Sequence, residues 1–217
     1  MKKGLVELVF ILDRSGSMSG LETDTIGGFN SMIKNQKKID GDCIVTTVLF
    51  DDRYDLLHDR INLMGISPLT EKEYYVRGTT ALLDAVGRTI SKIASVQRNT
   101  SEEERAEKVL FVITTDGYEN SSREYSYSKV KAMIEKERDK YGWEFLFLGA
   151  NIDALETAEK FGISKDRAAD YHGDSQGTKI TYQIVDSAVR TIRENKVMDK
   201  DWKKKIDEDY NSRKKKS

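Results

Sequence analysis

Apolar residues follow two rhythms along the chain. Four runs, Leu5–Leu12, Cys43–Phe50, Lys108–Thr115 and Trp143–Leu148, are near-continuous and rich in β-branched and aromatic side chains. Strands covered on both faces read this way, because neither face alternates with solvent. Elsewhere apolar positions recur every three to four residues. Ile26, Phe29 and Ile33 form one such stripe, and Leu82, Leu83, Val86, Ile90 and Ile93 a second. Val130, Met133 and Ile134 form a third, Leu155, Ala158 and Phe161 a fourth, and Ile180, Ile184, Ala188 and Ile192 a fifth. These spacings predict amphipathic helices. Buried strands alternating with such helices predict a doubly wound, three-layer α/β/α domain with a mostly parallel central sheet.

One segment breaks the alternation. Between Phe50 and Tyr54 there is room only for a tight turn, made by Asp51-Asp52. Tyr54–His58 is therefore expected to return antiparallel, as a hairpin strand at a sheet edge. A last short strand is expected over Ala168–His172. Gly27 and Gly28 interrupt the first helix, where each costs about 1 kcal/mol relative to Ala. Close approach of that helix to the sheet is the expected reason.

Composition narrows the chemistry. One cysteine (Cys43) and two histidines (His58, His172) in 217 residues exclude an internal disulfide and a Cys/His zinc cluster, and leave little imidazole for acid–base work. Any metal ligands must be oxygens. The histidines read as edge-strand residues and the methionines as core filler. Charged residues are abundant at 34%, yet 36 basic and 37 acidic side chains nearly cancel. No net field draws the chain to nucleic acid or an anionic membrane. Residues 196–217 are locally basic, with nine basic and five acidic side chains, ending Arg213-Lys214-Lys215-Lys216. They are expected to form a charged C-terminal helix or tail, solvated and disordered at its end, outside a domain of residues 1–195. The opening Met1-Lys2-Lys3 and apolar run mimic a signal peptide. Glu7 interrupts the run and Asp13 ends it without a small-residue cleavage site, so a buried strand is the better reading. No later segment has the roughly 18 uncharged apolar residues of a membrane span. A cytoplasmic location is expected.

In doubly wound sheets, ligands bind beyond the carboxyl ends of the strands. Three oxygen-rich loops fall there. Asp13-Arg14-Ser15-Gly16-Ser17-Met18 follows the first strand. Arg77-Gly78-Thr79-Thr80-Ala81-Leu82 precedes the second long helix. Thr115-Asp116-Gly117 ends the strand Lys108–Thr115. Together they resemble the metal-ion-dependent adhesion site of von Willebrand factor A domains, in the Asp-x-Ser-Gly-Ser-Met form of intracellular and bacterial members. The resemblance spans about residues 5–195 and implies a Rossmann-like sheet with one antiparallel edge strand. It implies a divalent cation, Mg²⁺ or Mn²⁺, held by the Ser15, Ser17 and Thr80 hydroxyls and by Asp13 and Asp116, directly or through water. Thr80 rather than Thr79 matches the family's ligand, being the threonine directly before Ala-Leu. Hard oxygens suit such ions. Neutral hydroxyls leave charge on the ion, so a partner's carboxylate can take an open position. The positive end of the first long helix, near Asp24, also favours an anionic ligand. Relatives of this kind occur in bacterial and phage settings beside ATPases or stress systems, which implies a scaffold or adaptor.

Other rim positions are weaker. Asn151 and Asp153 follow the fourth parallel strand, as helix caps or as supports for the metal loops. Tyr118-Glu119-Asn120, after Asp116-Gly117, stand where they would set partner preference, together with Asn151; a solvated loop is the alternative reading. The competing class is an enzyme. Asp13 after the first strand would suit a nucleophile in a phosphotransferase of haloacid-dehalogenase type, but Ser15 stands where that family has a second Asp. Gly16-Ser17-Met18-Ser19-Gly20 places Met18 where a serine hydrolase needs its nucleophile. No Gly-x-Gly-x-x-Gly and no phosphate-binding Gly-Lys-Ser/Thr are present. A non-enzymatic protein-binding module is the expected function.

Overall fold

A computed structural model describes residues 1–214. Lys215 and Lys216 of the basic run lie outside the described residues. Six strands form one sheet: β1 (Lys2–Asp13), β2 (Cys43–Phe50), β3 (Tyr54–Asn62), β4 (Ala106–Thr115), β5 (Glu144–Ala150) and β6 (Ala168–Tyr171). Their order is β3-β2-β1-β4-β5-β6. All neighbours pair in parallel except β2 with β3, which run antiparallel. The hairpin strand is four residues longer than its apolar pattern suggests, because polar Asp59, Arg60 and Asn62 continue the exposed edge.

Among the described residues six α-helices cover the two faces: α1 (Glu22–Gln36), α2 (Leu82–Asn99), α3 (Tyr127–Tyr141), α4 (Ala154–Lys160), α5 (Ser175–Arg193) and α6 (Lys204–Lys214). Central β1 shows how the layers form. Val6, Leu8, Phe10 and Leu12 point into one core with Phe29 and Met32 of α1 and Val185 and Val189 of α5. Leu5, Val9 and Ile11 point into the other, with Val86, Ile90 and Ile93 of α2 and Val130 and Ile134 of α3. Period-2 alternation thus serves two apolar cores. After β1 the chain builds outwards through β2 and β3, then crosses to the other side of β1 for β4 to β6. The switch point lies between β1 and β4, and a crevice opens beyond their carboxyl ends.

Two expectations change. Gly28 is required by a neighbouring helix rather than the sheet. A Cβ there would sit 2.3 Å from Tyr182 Cδ2 of α5, whereas one on Gly27 would meet nothing within 4 Å. The basic C-terminal segment, expected as a charged helix or tail, is helical over residues 204–214 and packs against the domain rather than standing apart from it. Helix α6 buries Ile206 in the first core, beside Met198 and half-buried Trp202. Trp202 Nε1 donates to Asp166 O at 2.7 Å, and Arg167 Nη2 donates to Met198 O at 3.1 Å. The few apolar residues at Met198, Trp202 and Ile206 are enough to dock a strongly charged helix. No helix of the described residues is long and apolar enough to cross a membrane.

Candidate metal centre

The three oxygen-rich loops meet at the switch point. Asp13 ends β1 with no exposure to solvent. Its Oδ1 accepts the Ser15 N–H at 2.7 Å, and its Oδ2 accepts the Thr115 hydroxyl at 2.6 Å and the Asp116 N–H at 3.4 Å. One carboxylate thereby joins the ends of β1 and β4. The chain after Asp13 turns through a short 3₁₀ segment, Gly16–Met18, which aims Ser15 and Ser17 the same way. Their hydroxyl oxygens are 2.9 Å apart, and Thr80 Oγ1 donates to Ser15 Oγ at 2.9 Å. Thr80 is 3% exposed, whereas Thr79 faces solvent. Gly117 keeps this hydroxyl cluster open, since a Cβ there would lie 2.8 Å from Ser17 Oγ and 3.2 Å from Thr80 Oγ1.

Burial pushes the Asp116 carboxyl up to about 6; the Asn151 hydrogen bond opposes this and the nearby Asp13 charge adds to it. Burial also raises Asp13, against hydrogen bonds from Thr115 and Ser15. Two desolvated carboxylates beside three neutral hydroxyls form an electron-rich pocket of hard oxygens. That donor set fits a divalent cation of the Mg²⁺ or Mn²⁺ kind. Among the described residues no three His, Cys, Asp or Glu side chains gather into a metal cluster, here or elsewhere; this site offers two carboxylates and three hydroxyls.

The supporting shell was largely invisible in sequence. Asn120 Oδ1 accepts the Thr80 N–H at 2.9 Å, and its own N–H donates to Thr80 O at 3.1 Å, so it fixes the threonine by both backbone groups. Tyr74, wholly buried, donates its hydroxyl to Asp13 O at 2.5 Å. Asp51 does not merely turn the hairpin. It is sealed from solvent and accepts Arg14 Nε at 3.0 Å and Arg77 Nε at 2.6 Å on the same oxygen. The Arg77 N–H donates to Arg14 O at 3.0 Å and the Gly16 N–H to Gly78 O at 3.1 Å. The Ser-containing loop and the Thr80 loop are therefore stitched together through both backbone and side chains. Only the pairing of Arg14 and Arg77 around an acid 37 and 26 residues away would have revealed this, and no spacing rule encodes it.

The weaker rim candidates separate. Asn151, at φ 53°, donates Nδ2 to Asp116 Oδ1, and Asp153 caps α4 by accepting the Glu156 N–H at 2.8 Å. Glu119 turns inwards: its carboxylate accepts the N–H groups of Leu83, Ser121 and Ser122 and the Ser122 hydroxyl, at 2.7–2.9 Å. It satisfies one of the orphan donors at the start of α2 and closes its own loop. Tyr118, the residue after Gly117, is 64% exposed. Asp24, on the first turn of α1, accepts the Ser175 hydroxyl at 2.5 Å.

No protein-family model and no curated protein sequence matches the chain. Solved structures do. Manganese-loaded TRAP protein of Plasmodium vivax superposes with a TM-score of 0.58 at 19% identity, over 83% of this chain and 73% of that one. The fold is that of von Willebrand factor A-like domains. Proximal thread matrix protein 1 of the mussel byssus matches at 0.57 and 14% identity over 86% of this chain, and another of its structures has a zinc-occupied MIDAS motif. The pilus adhesin SpaC of Lactobacillus rhamnosus GG, in an open conformation, matches at 0.62 and 12% identity. This chain spans 46% of the mussel protein and 30% of the adhesin. At such identities the likeness shows the fold.

Proposed function

We propose that this von Willebrand factor A-like domain is a non-enzymatic protein-interaction module. It binds Mg²⁺ or Mn²⁺ through Asp13, Ser15, Ser17, Thr80 and Asp116, and engages a carboxylate of a partner protein. The observation that carries this reading is the hydroxyl cluster of Ser15, Ser17 and Thr80, held at 2.9 Å spacings beside two buried aspartates. The zinc-occupied and manganese-loaded states of two neighbours support a divalent ion. When bound, the ion supplies a Lewis-acidic position that a carboxylate can fill.

The chain's own groups do the preparing. Asp13 locks the ends of β1 and β4, Asn120 sets the height of Thr80, and Asn151 orients Asp116. Exposed Tyr118, with Asn151, forms the rim a partner would meet; Glu119 acts by shaping that loop. Both Asp13 oxygens already accept hydrogen bonds, which favours an ordering role over a nucleophilic one. The setting we infer is a cytoplasmic scaffold or adaptor of a bacterial or phage system, with an ATPase or stress-response component as partner. The test is a metal-dependent pull-down from the native host, wild type against Asp13→Ala. Recovery of a partner with Mg²⁺ or Mn²⁺, lost with EDTA and with the variant, supports the reading; equal recovery by the variant sinks it.

A further inference from the structure

Beyond β6 the chain makes a tight turn before α5. Parallel register sets Tyr171 beside Ala150, so His172 and Gly173 leave the sheet next to Asn151. The turn is stiff. The Asp174 N–H donates to His172 O at 2.8 Å, and the Asp174 carboxylate caps α5 by accepting the Gly177 N–H at 2.8 Å. Gly177 packs so closely that a Cβ there would lie 2.1 Å from His172 O. At the tip, a Cβ on Gly173 would sit 2.8 Å from Asn151 Nδ2 and 3.1 Å from Asp116 Oδ2. The turn is therefore a further wall of the candidate metal centre, beside the loops that carry Ser15, Thr80 and Asp116.

Helix α6 holds this turn from behind. Spacings of three and four residues put Ile206, Asp209, Tyr210 and Arg213 on one face. Ile206 anchors that face in the first core. His172 Nε2 donates to Tyr210 O at 3.1 Å, and the two rings overlie each other at 4.8 Å and 33°. Arg213 lays its fork on Asp174, Nη1 donating to Oδ1 at 3.2 Å and Nη2 to Oδ2. Asp209 Oδ1 accepts Gln176 Nε2 at 2.6 Å, and its Oδ2 stands 3.3 Å from Arg213 Nη1. His172, Asp174 and Gln176 are thus all gripped by the same helix face. Two parallel bonds from a guanidinium fix direction as well as distance. Partly exposed ion pairs add little to global stability. What these contacts fix is the place of the turn.

We propose that Arg213 and Asp209 are positioning residues of the metal centre: through them α6 holds the 172–176 turn against Asn151 and so sets where the Asp116 carboxylate stands. The route is short. Helix α6 orients Asp174 and Gln176, the stiff turn places Gly173, Gly173 backs Asn151, and Asn151 donates Nδ2 to Asp116 Oδ1. Groups that orient a metal ligand from behind typically change metal affinity about 10–100-fold when removed. The consequence for the ion rests on the metal-binding reading above, whereas the placing of Asn151 can be measured without any ion.

The side-chain amide of Asn151 provides the test, in isotope-labelled protein held in EDTA. Its N–H resonances are identified by their loss in Asn151→Ala. Gly173→Ala should shift them, and so should Asp209→Ala combined with Arg213→Ala. Lys205→Ala, exposed on the same helix, should not. Thermal melts establish that each variant folds, and the combined variant should melt close to the wild type. Calorimetric titration with Mn²⁺ is the second readout. Gly173→Ala should weaken binding by about tenfold or more. The combined variant, one contact farther from the site, should weaken it by roughly threefold or more. An unmoved Asn151 amide in the folded combined variant, an equal movement in Lys205→Ala, or wild-type Mn²⁺ affinity in the combined variant would overturn the proposal. A wild type that takes up no Mn²⁺ would sink the metal-binding reading instead, and the amide would still decide whether α6 places Asn151.

Discussion

Arg14 donates its Nε–H to Asp51 Oδ2 at 3.0 Å, and both side chains are sealed from solvent. The pair sits between the Ser15 loop and the hairpin, and shares its acceptor oxygen with Arg77. Removing one member leaves the other charged and buried, which typically costs roughly 3–5 kcal/mol. Asp51→Asn should therefore lower unfolding stability by about that amount in urea titrations. A loss below about 1 kcal/mol, the usual scale of an exposed pair, would mean that the network is solvated in solution.

The same acid predicts a pH response. Burial alone would raise the Asp51 carboxyl. The hydrogen bonds from Arg77 and the Arg53 N–H, with the Arg14 charge, outweigh it and hold the group below its usual 3.8. A depressed folded value stabilises the native state at all pH above 3.8, and that contribution is lost as pH falls through the folded value. Melting temperatures measured in EDTA should drop steeply below pH 3.8 in the wild type and less steeply in Asp51→Asn. Parallel curves would refute the assignment.

The legible and illegible parts of this protein differ in kind. Strands such as Cys43–Phe50 are continuous apolar runs, and helices such as α2 carry a clear stripe, so periodicity locates them. The loops bearing Asp13, Thr80 and Asp116 follow from the rule that ligands gather beyond strand ends. What stays hidden depends on long-range pairing. Glu7 reads as an interruption in an apolar run, yet it is wholly buried and held by Arg60 at 2.8 and 3.2 Å and by Gln97 at 2.5 Å. Arg60 reaches it from a bulged edge strand at φ 53°. Asn120, Asp51 and Gly28 are hidden likewise, because each answers a residue 40, 37 or more than 150 positions away.

Gly28 offers a packing test. Its Cβ would overlap the Tyr182 ring at 2.3 Å, so Gly28→Ala must part α1 from α5 or turn the tyrosine. Overpacking of this sort costs about 1–3 kcal/mol, more than the gain in helix propensity of about 1 kcal/mol. A net loss in thermal stability is expected, and Gly27→Ala, with open space around its Cβ, should instead be neutral or stabilising. A stabilised Gly28→Ala would show that the two helices are farther apart.

The hydroxyl cluster can be tested without touching any proposed ligand. Gly117→Ala puts a methyl 2.8 Å from Ser17 Oγ and 3.2 Å from Thr80 Oγ1. Asn120→Ala removes the 2.9 Å bond that fixes the Thr80 N–H. Neither substitution alters the five oxygen-bearing side chains. If the cluster binds a divalent ion, the wild type should gain stability with Mn²⁺ or Mg²⁺, by about 2.7 kcal/mol at a hundred times the dissociation constant. Gly117→Ala should lose most of that gain, since ion and methyl compete for one space. Asn120→Ala should lose part of it, since Thr80 keeps its hydroxyl but not its fixed height. Differential scanning fluorimetry with and without EDTA measures all three proteins. Thr80→Ala serves as the reference for a ligand lost outright. If Gly117→Ala kept the full metal-dependent shift, the ion would have to lie away from Ser17 and Thr80, and the site proposed for it would be wrong.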